Sequence, residues 1–268
     1  MSKLLFLSLA SGSSGNCYYI GTNEYGVLID AGVSVRQTKK TLKDFGIAFE
    51  NILAILITHD HADHIKSIGC LGETMGIPVF ATEKVHEGVR KSRYVEEVLI
   101  QSRRLVEKDI PFFVRDLKIT AFETPHDSSD NVGYSIEYDN QTFVIVTDAG
   151  HITDTIREYV CKANHLVIET NYDEEMLQNG VYPAFLKERV SSPTGHLSNR
   201  ITADFLASIF SPKLKNIWLC HLSRDNNHPE LAYKTVEYRL WQEGIKAGKD
   251  VALTTLKRMS PSIVYELT

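Results

Sequence analysis

Six consecutive residues, His59-Asp60-His61-Ala62-Asp63-His64, hold three imidazoles and two carboxylates directly after the apolar run Ile52–Ile57. So dense a set of donors reads as a metal site rather than a solvated loop. Imidazole nitrogen and carboxylate oxygen suit zinc, manganese or iron, whereas calcium takes all-oxygen cages. The spacing is specific too. His59 and His61 lie two apart, so extended backbone projects them to the same side, where they can share one ion. Asp63 and His64 then turn toward a second position.

Three further donors stand where an apolar strand stops: His126 in Thr124-Pro125-His126-Asp127, Asp148 after Phe143–Thr147, and His221 after Ile217–Cys220. Strand ends at one sheet edge are where side chains converge on a cleft. Singly, each is an ordinary turn or cap residue; with the His/Asp run they complete two sites. One ion takes His59, His61 and His126, the other takes Asp63, His64 and His221, and Asp148 bridges them. Paired ions in such sites sit about 3.5–4 Å apart around a shared water. Setting Asp63, Asp148 and a bridging hydroxide against two divalent ions leaves about one positive charge. That favours an anionic substrate such as a phosphodiester and its more negative transition state, without excluding a carbonyl substrate.

The elements that must position these donors are legible in outline. Lys3–Leu9, Cys17–Ile20 and Tyr25–Asp30 read as antiparallel strands separated by glycine- or asparagine-containing turns. Ser34 caps a helix to Phe45 with Gly46 past its end. Ile52–Ile57 is a buried strand, Ile65–Met75 a helix, Pro78–Ala81 a short strand, and a basic helix runs through Arg93. The second half gives strands Lys118–Glu123, Val132–Tyr138 and Gln141–Thr147, helix Thr153–Val160 and strand His165–Glu169. Short helices follow at Asp173–Asn179 and Pro183–Val190, and Ser198 caps one to Phe210. Strand Asn216–Cys220, helix Pro229–Gly244 and strands Val251–Thr255 and Ser262–Glu266 complete the chain. Two strand meanders, each followed by strand–helix units, predict an α/β fold: a four-layer αββα sandwich in one domain over residues 1–268.

Composition narrows the function. A net charge of −5 argues against a generally basic nucleic-acid binder, so any polyanion must be gripped locally. Cys17, Cys70, Cys161 and Cys220 form no CxxC pair and read as reduced core thiols of a cytoplasmic protein. Leu4–Ala10 is too short and too weakly preceded by charge for a signal peptide and reads as a first strand; no run reaches membrane-span length.

The run His59-Asp60-His61-Ala62-Asp63-His64, followed in order by His126, Asp148 and His221, resembles the HxHxDH pattern of the metallo-β-lactamase superfamily. Asp30, in Leu28-Ile29-Asp30-Ala31-Gly32, matches that superfamily's early aspartate, which orients the metal ligands. Closer still, Ser11–Cys17, Thr124–Asp127, Glu169–Asp173, Gly195–Asn199 and His221–Asn227 are similar to the YycJ/WalJ group, bacterial cytoplasmic relatives of tRNase Z and RNase J. The resemblance implies a metal-dependent 5′-to-3′ exonuclease on DNA, with RNA as the alternative polymer.

Asp148 stands where common dinuclear β-lactamases carry cysteine, which argues against lactam hydrolysis. In tRNase Z-like phosphodiesterases a histidine held by a carboxylate protonates the leaving alkoxide. His196 and Glu169 match those positions, and a poor leaving group needs such an acid. The implied mechanism is attack by a metal-bridging hydroxide, with His196 as general acid and Asp63 orienting or accepting from the water. The 73 positions from Asp148 to His221 leave no room for the β-CASP clamp of RNase J relatives. Substrate grip therefore falls to local residues, with Arg90, Lys91, Arg93, Arg103, Arg104, Arg189, Arg200 and Arg224 as candidates. Arg224, Asn226 and Asn227 precede a helix N-terminus, where a terminal phosphate could bind. His151 is a candidate for supporting the metal ligands. His86 and His165 read as surface and strand residues. Ser11–Asn16 lacks a following GK[ST] and is a tight loop, not a nucleotide site. The rival readings are a small-molecule phosphodiesterase or thioester hydrolase, and a non-catalytic metal-stabilised nucleic-acid-binding or regulatory protein.

Overall fold

A computed structural model of the protein describes residues 3–268. The chain divides into two compact units. The first comprises the chain up to Ala121, Ser128–Val132 and Lys257–Thr268; the second comprises Phe122–Asp127 and Gly133–Leu256.

In the first unit, β1 (Leu4–Ala10), β2 (Cys17–Gly21) and β3 (Gly26–Ile29) form an antiparallel meander. Helix α1 (Val35–Asp44) follows, then β4 (Ile52–Leu56), the single-turn α2 (Ala62–Ile65), β5 (Val79–Ala81), α3 (Glu83–Lys91) and β6 (Arg103–Leu105). A hairpin of β7 (Phe112–Val114) and β8 (Leu117–Glu123) leads into the second unit. There the order is β9 (Val132–Tyr138), β10 (Gln141–Val146), α4 (Asp154–Val160), β11 (His165–Glu169), α5 (Glu174–Asn179), α6 (Ala184–Val190), α7 (Asn199–Ile209), β12 (Asn216–Cys220), α8 (Pro229–Gln242) and β13 (Ala252–Thr255). The chain returns to the first unit as β14 (Tyr265–Leu267), antiparallel to β1.

The first unit's sheet has the order β14-β1-β2-β3-β4-β5-β6, parallel from β3 to β6. The second unit's strands run β13-β12-β11-β10-β9, parallel from β10 to β13. Parallel strands are covered on both faces, which accounts for their unbroken apolar runs. Every residue of β3 and β11 is buried, even His165, whose Nε2 faces the Gln141 side chain at 2.9 Å. Helix starts follow the expected caps: Ser34, Thr153 and Ser198 each accept an N–H from the first turn. No helix among the described residues is long and apolar enough to cross a membrane.

Several local expectations are corrected. The helix predicted over Ile65–Met75 is broken: α2 stops at Ile65, and a separate wide turn spans Cys70–Thr74. The wide turn packs closely, since a Cβ on Gly69 would meet the Glu97 carboxylate at 2.1 Å and one on Gly72 would meet Val79 at 2.6 Å. The last strand begins at Tyr265 rather than Ser262, because the Ser262 side chain, not its backbone, takes the Ser8 N–H. Strands β6 and β7 escape sequence reading: each is three residues long, and β6 reads Arg-Arg-Leu. Cys17 and Cys220 are buried, but Cys70 is half-buried and Cys161 exposed, for Cys161 stands at the end of α4, off the face that buries Ile156 and Val160. His86 is buried, not on the surface, with Nε2 2.9 Å from the Arg104 carbonyl.

Candidate metal centre

In the first unit the donors gather where β3 and β4 end side by side, Ile29 pairing with Leu56. Asp30, the next residue, adopts a left-handed backbone (φ 60°) that side chains other than glycine rarely take. Its carboxylate accepts the Thr58 N–H at 2.9 Å and the Thr58 hydroxyl at 3.0 Å, and its Oδ2 is 2.7 Å from His64 Nδ1. Those bonds decide which ring nitrogens carry the proton. A carboxylate can only accept, so His64 Nδ1 carries the proton and Nε2 keeps its lone pair. The Thr58 hydroxyl spends its proton on Asp30, so it accepts from His59 Nδ1 at 3.0 Å, and His59 too presents Nε2. The ring of His59 lies 4.7 Å from that of His61 and 4.1 Å from that of His64.

A residue that sequence reasoning left unassigned completes this group. The Asn16 amide nitrogen lies 3.0 Å from His64 Nε2 and 3.2 Å from Asp63 Oδ2. The loop Ser11–Asn16 is thus a brace for the His/Asp run: Asn16 N donates to Asp63 O at 2.8 Å and Gly32 N to Asn16 O at 2.8 Å. The hint in the sequence was the tight Ser-Gly-Ser-Ser-Gly turn, which needs an anchor. Packing there leaves no room for a methyl group, since a Cβ on Gly32 would stand 1.6 Å from Asp63 O and 2.6 Å from Asn16 N. Gly32→Ala is therefore expected to lose about 3 kcal/mol or more of stability, read as a lower denaturation midpoint.

In the second unit the same strand-end device recurs. Asp148 and His221 follow β10 and β12, both with φ 52°, and Glu169 ends β11 between them. Asp30, Asp148 and His221 thus share one strained backbone state, worth about 1–3 kcal/mol each, at the carboxyl ends of parallel strands. Asp148, Glu169, His196 and His221 bring donor atoms within 4.8 Å of one another. His221 Nδ1 lies 3.0 Å from Asp148 Oδ1 and 2.9 Å from Glu169 Oε1. His126 Nδ1 donates to the Gly195 carbonyl at 2.9 Å, which puts the lone pair of the neutral ring on Nε2.

Glu169 and His196 form a tight pair at 2.8 Å. The other carboxylate oxygen accepts two backbone donors, Ala149 N at 3.0 Å and Leu197 N at 3.1 Å. Burial alone would raise the Glu169 carboxyl, but the charge and hydrogen bond of His196, then the bond from His221, hold it below the usual carboxylate range. Burial likewise disfavours a charged His196, yet Glu169 and then Asp148 outweigh it and hold the imidazole above its ordinary value. Glu169 is fully buried, whereas the His196 side chain keeps 18% of its surface exposed. Nδ1 is tied to the carboxylate, so Nε2 is the atom able to exchange a proton.

Other candidates fall elsewhere. His151 is exposed and bonds the Pro193 carbonyl at 2.8 Å, outside the quartet. Arg224 is exposed, but Asn226 and Asn227 are buried, and the Asn227 amide is committed to Thr170, Asn171 and Asn199. Asn227 is thus an internal strut, not an open phosphate contact. Among the basic candidates Arg103, Arg189 and Arg200 already pair with Glu83, Asp127 and Glu174.

Comparison with known proteins settles the lineage. The family described as Beta-lactamase superfamily domain matches residues 25–214. Exodeoxyribonuclease YycJ of Bacillus anthracis is 36% identical over 252 residues, 92% of each chain. The chain belongs to the YycJ/WalJ group of the metallo-β-lactamase superfamily. Exodeoxyribonuclease WalJ of Streptococcus pneumoniae is similarly 36% identical over 242 residues, 90% of each chain. The metallo-β-lactamase fold protein YhfI from Bacillus subtilis superposes with a TM-score of 0.70 over 98% of this chain and 99% of its own, at 16% identity, which shows the fold. Membership makes this YycJ/WalJ-group protein a metal-dependent hydrolase. Its donors fit that cofactor: they are imidazole and carboxylate groups, buried or half-buried, with Nδ1 of His59, His64 and His126 each held by a protein oxygen.

Proposed function

We propose that this protein is a dinuclear metal-dependent phosphodiesterase, a 5′-to-3′ exonuclease acting on DNA in the cytoplasm, with the whole chain serving as one hydrolase domain. His59, His61 and His126 would hold one ion and Asp63, His64 and His221 the other, with Asp148 shared between them. Zinc and manganese suit these ligands, and iron is compatible with them. Bound divalent ions would supply Lewis-acid stabilisation of the phosphoryl oxygens and a water made nucleophilic near neutral pH.

The observation that carries the phosphodiester reading is the Glu169–His196 pair, with Nδ1 held at 2.8 Å and the ring partly open to solvent. A departing sugar oxygen is a poor leaving group, and proton donation by a positioned imidazole is worth about 10²–10⁴ in rate. Glu169 favours the charged imidazole before transfer and fixes its orientation. Asp63, whose Oδ2 accepts from the Asn16 amide at 3.2 Å, would orient or accept from the attacking water. The names of the YycJ and WalJ relatives support DNA as the polymer and release from a chain end. Thiols at Cys17, Cys70, Cys161 and Cys220, with no disulfide among the described residues, are in keeping with a reducing compartment.

The test is an end-resolved assay with Mn²⁺ or Zn²⁺ on DNA labelled at either end, run beside RNA, a small phosphodiester and a thioester. Mononucleotide release from the 5′ end of DNA is expected. Turnover of the thioester or small diester alone would overturn the exonuclease reading. A stoichiometric DNA complex that is never cleaved would establish a binding protein instead.

A further inference from the structure

Three asparagines, Asn171, Asn199 and Asn227, are almost fully buried behind the donors of the second unit. The Asn227 amide nitrogen lies 2.9 Å from Thr170 O, 3.1 Å from Asn171 O and 2.8 Å from Asn199 Oδ1. Its oxygen accepts from Asn199 Nδ2 at 3.0 Å and from His228 N at 2.9 Å. The Asn171 amide donates to the backbone carbonyl of His221 at 2.8 Å. Main-chain bonds run alongside: Asn199 N to Tyr172 O at 2.8 Å and Ser223 N to Asn171 O at 2.8 Å.

These bonds tie three segments that are far apart in sequence: the turn after β11, the first turn of α7 and the loop from β12 to α8. Each segment carries one member of the donor quartet: Glu169 before the first, His196 just ahead of the second, His221 at the start of the third. His221 is also the residue whose backbone is strained, at φ 52°, and the Asn171 amide grips its carbonyl. Burying three amides is costly unless each finds partners, and apolar side chains could fill the same volume. What the amides add is orientation, because their bonds are directional and fix three loops at once.

We infer that Asn171, Asn199 and Asn227 are positioning residues, a clasp that holds the proposed ligand His221 in place against Glu169 and thereby sets the affinity for a divalent ion. The inference rests on the metal-hydrolase reading and deepens it. Groups that orient ligands in this way are typically worth about 10–100-fold in metal affinity.

The experiment measures Zn²⁺ and Mn²⁺ affinity by competition with a chromophoric chelator, and thermal melting of the metal-free protein, for the parent, Asn227→Ala and Asn171→Ser. The expected result is affinity weakened about 10–100-fold in both variants with a cooperative melt retained. Affinity within about twofold of the parent, in folded variants, would overturn the inference. So would failure of both variants to fold without metal, since the clasp would then be a folding element. A parent that binds no ion would fell the metal reading and the clasp together. Hydrolysis is scored separately. Weakened affinity in a protein that degrades no DNA keeps the clasp and removes the exonuclease; unchanged affinity in an active nuclease does the reverse.

Discussion

Replacing Asp148 with alanine is expected to abolish hydrolysis and lower the bound metal, and a chelator is expected to do the same to the parent. Asp148 is buried, strained at φ 52°, and has one oxygen 3.0 Å from His221 Nδ1 while the other accepts the Thr147 hydroxyl at 2.8 Å. Alanine keeps a Cβ and with it the cost of the left-handed backbone, so the folded protein should be no more stable than the parent. What it cannot replace is the negative charge that offsets cations at the site. Loss of a metal's contribution to the transition state costs several kcal/mol, about 10³-fold or more in rate. Metal content by elemental analysis, measured on the sample used for turnover, is the check. An Asp148→Ala protein with full metal and full activity would remove Asp148 from the site.

His196→Ala is expected to retain its metal while losing about 10²–10⁴ in turnover on a diester with a poor leaving group. The loss should shrink on a substrate whose leaving group needs no proton, which separates acid catalysis from a general loss of structure. Glu169→Gln should act through the same histidine. Glutamine can accept from His196 but cannot hold the imidazolium by charge, and its NH₂ would face a donor at Ala149 N, Leu197 N or His196. Since Glu169 holds His196 above its ordinary value, the protonated acid persists to higher pH in the parent. Removing that charge lowers the value, so the basic limb of the pH–rate profile should move to lower pH in Glu169→Gln. A limb that stays in place would show that His196 is not the titrating acid.

How much of this was legible without the structure differs by residue. The run His59–His64 is legible because all its donors are adjacent, and His126, Asp148 and His221 because each closes an apolar strand, whereas Asp30 came from resemblance to a family. The Glu169–His196 pair lies 27 positions apart and came only from resemblance to a family, since nothing in local spacing links them. Asn16 went unassigned because its partners, Asp63 and His64, lie 47 and 48 positions away. Asn226 and Asn227 looked like a phosphate contact because they precede a helix start; their burial is a property of packing that composition does not reveal. Three of the basic candidates, Arg103, Arg189 and Arg200, carry ion pairs, and a charge in sequence holds no record of the carboxylate folded against it.

The sequence by itself determined the chemistry: which donors exist, which metals they suit, and the alternation of strands and helices that delivers them to strand ends. Tertiary structure decided what each donor could do with its lone pairs. Thr58, Asp30 and the Gly195 carbonyl each hold Nδ1 of a histidine and leave Nε2 as the ring atom with the lone pair, and Glu169 holds Nδ1 of a fourth. Residue type fixes what a side chain is able to bind, but a tautomer is set by the neighbour on its other face, and only folding supplies that neighbour.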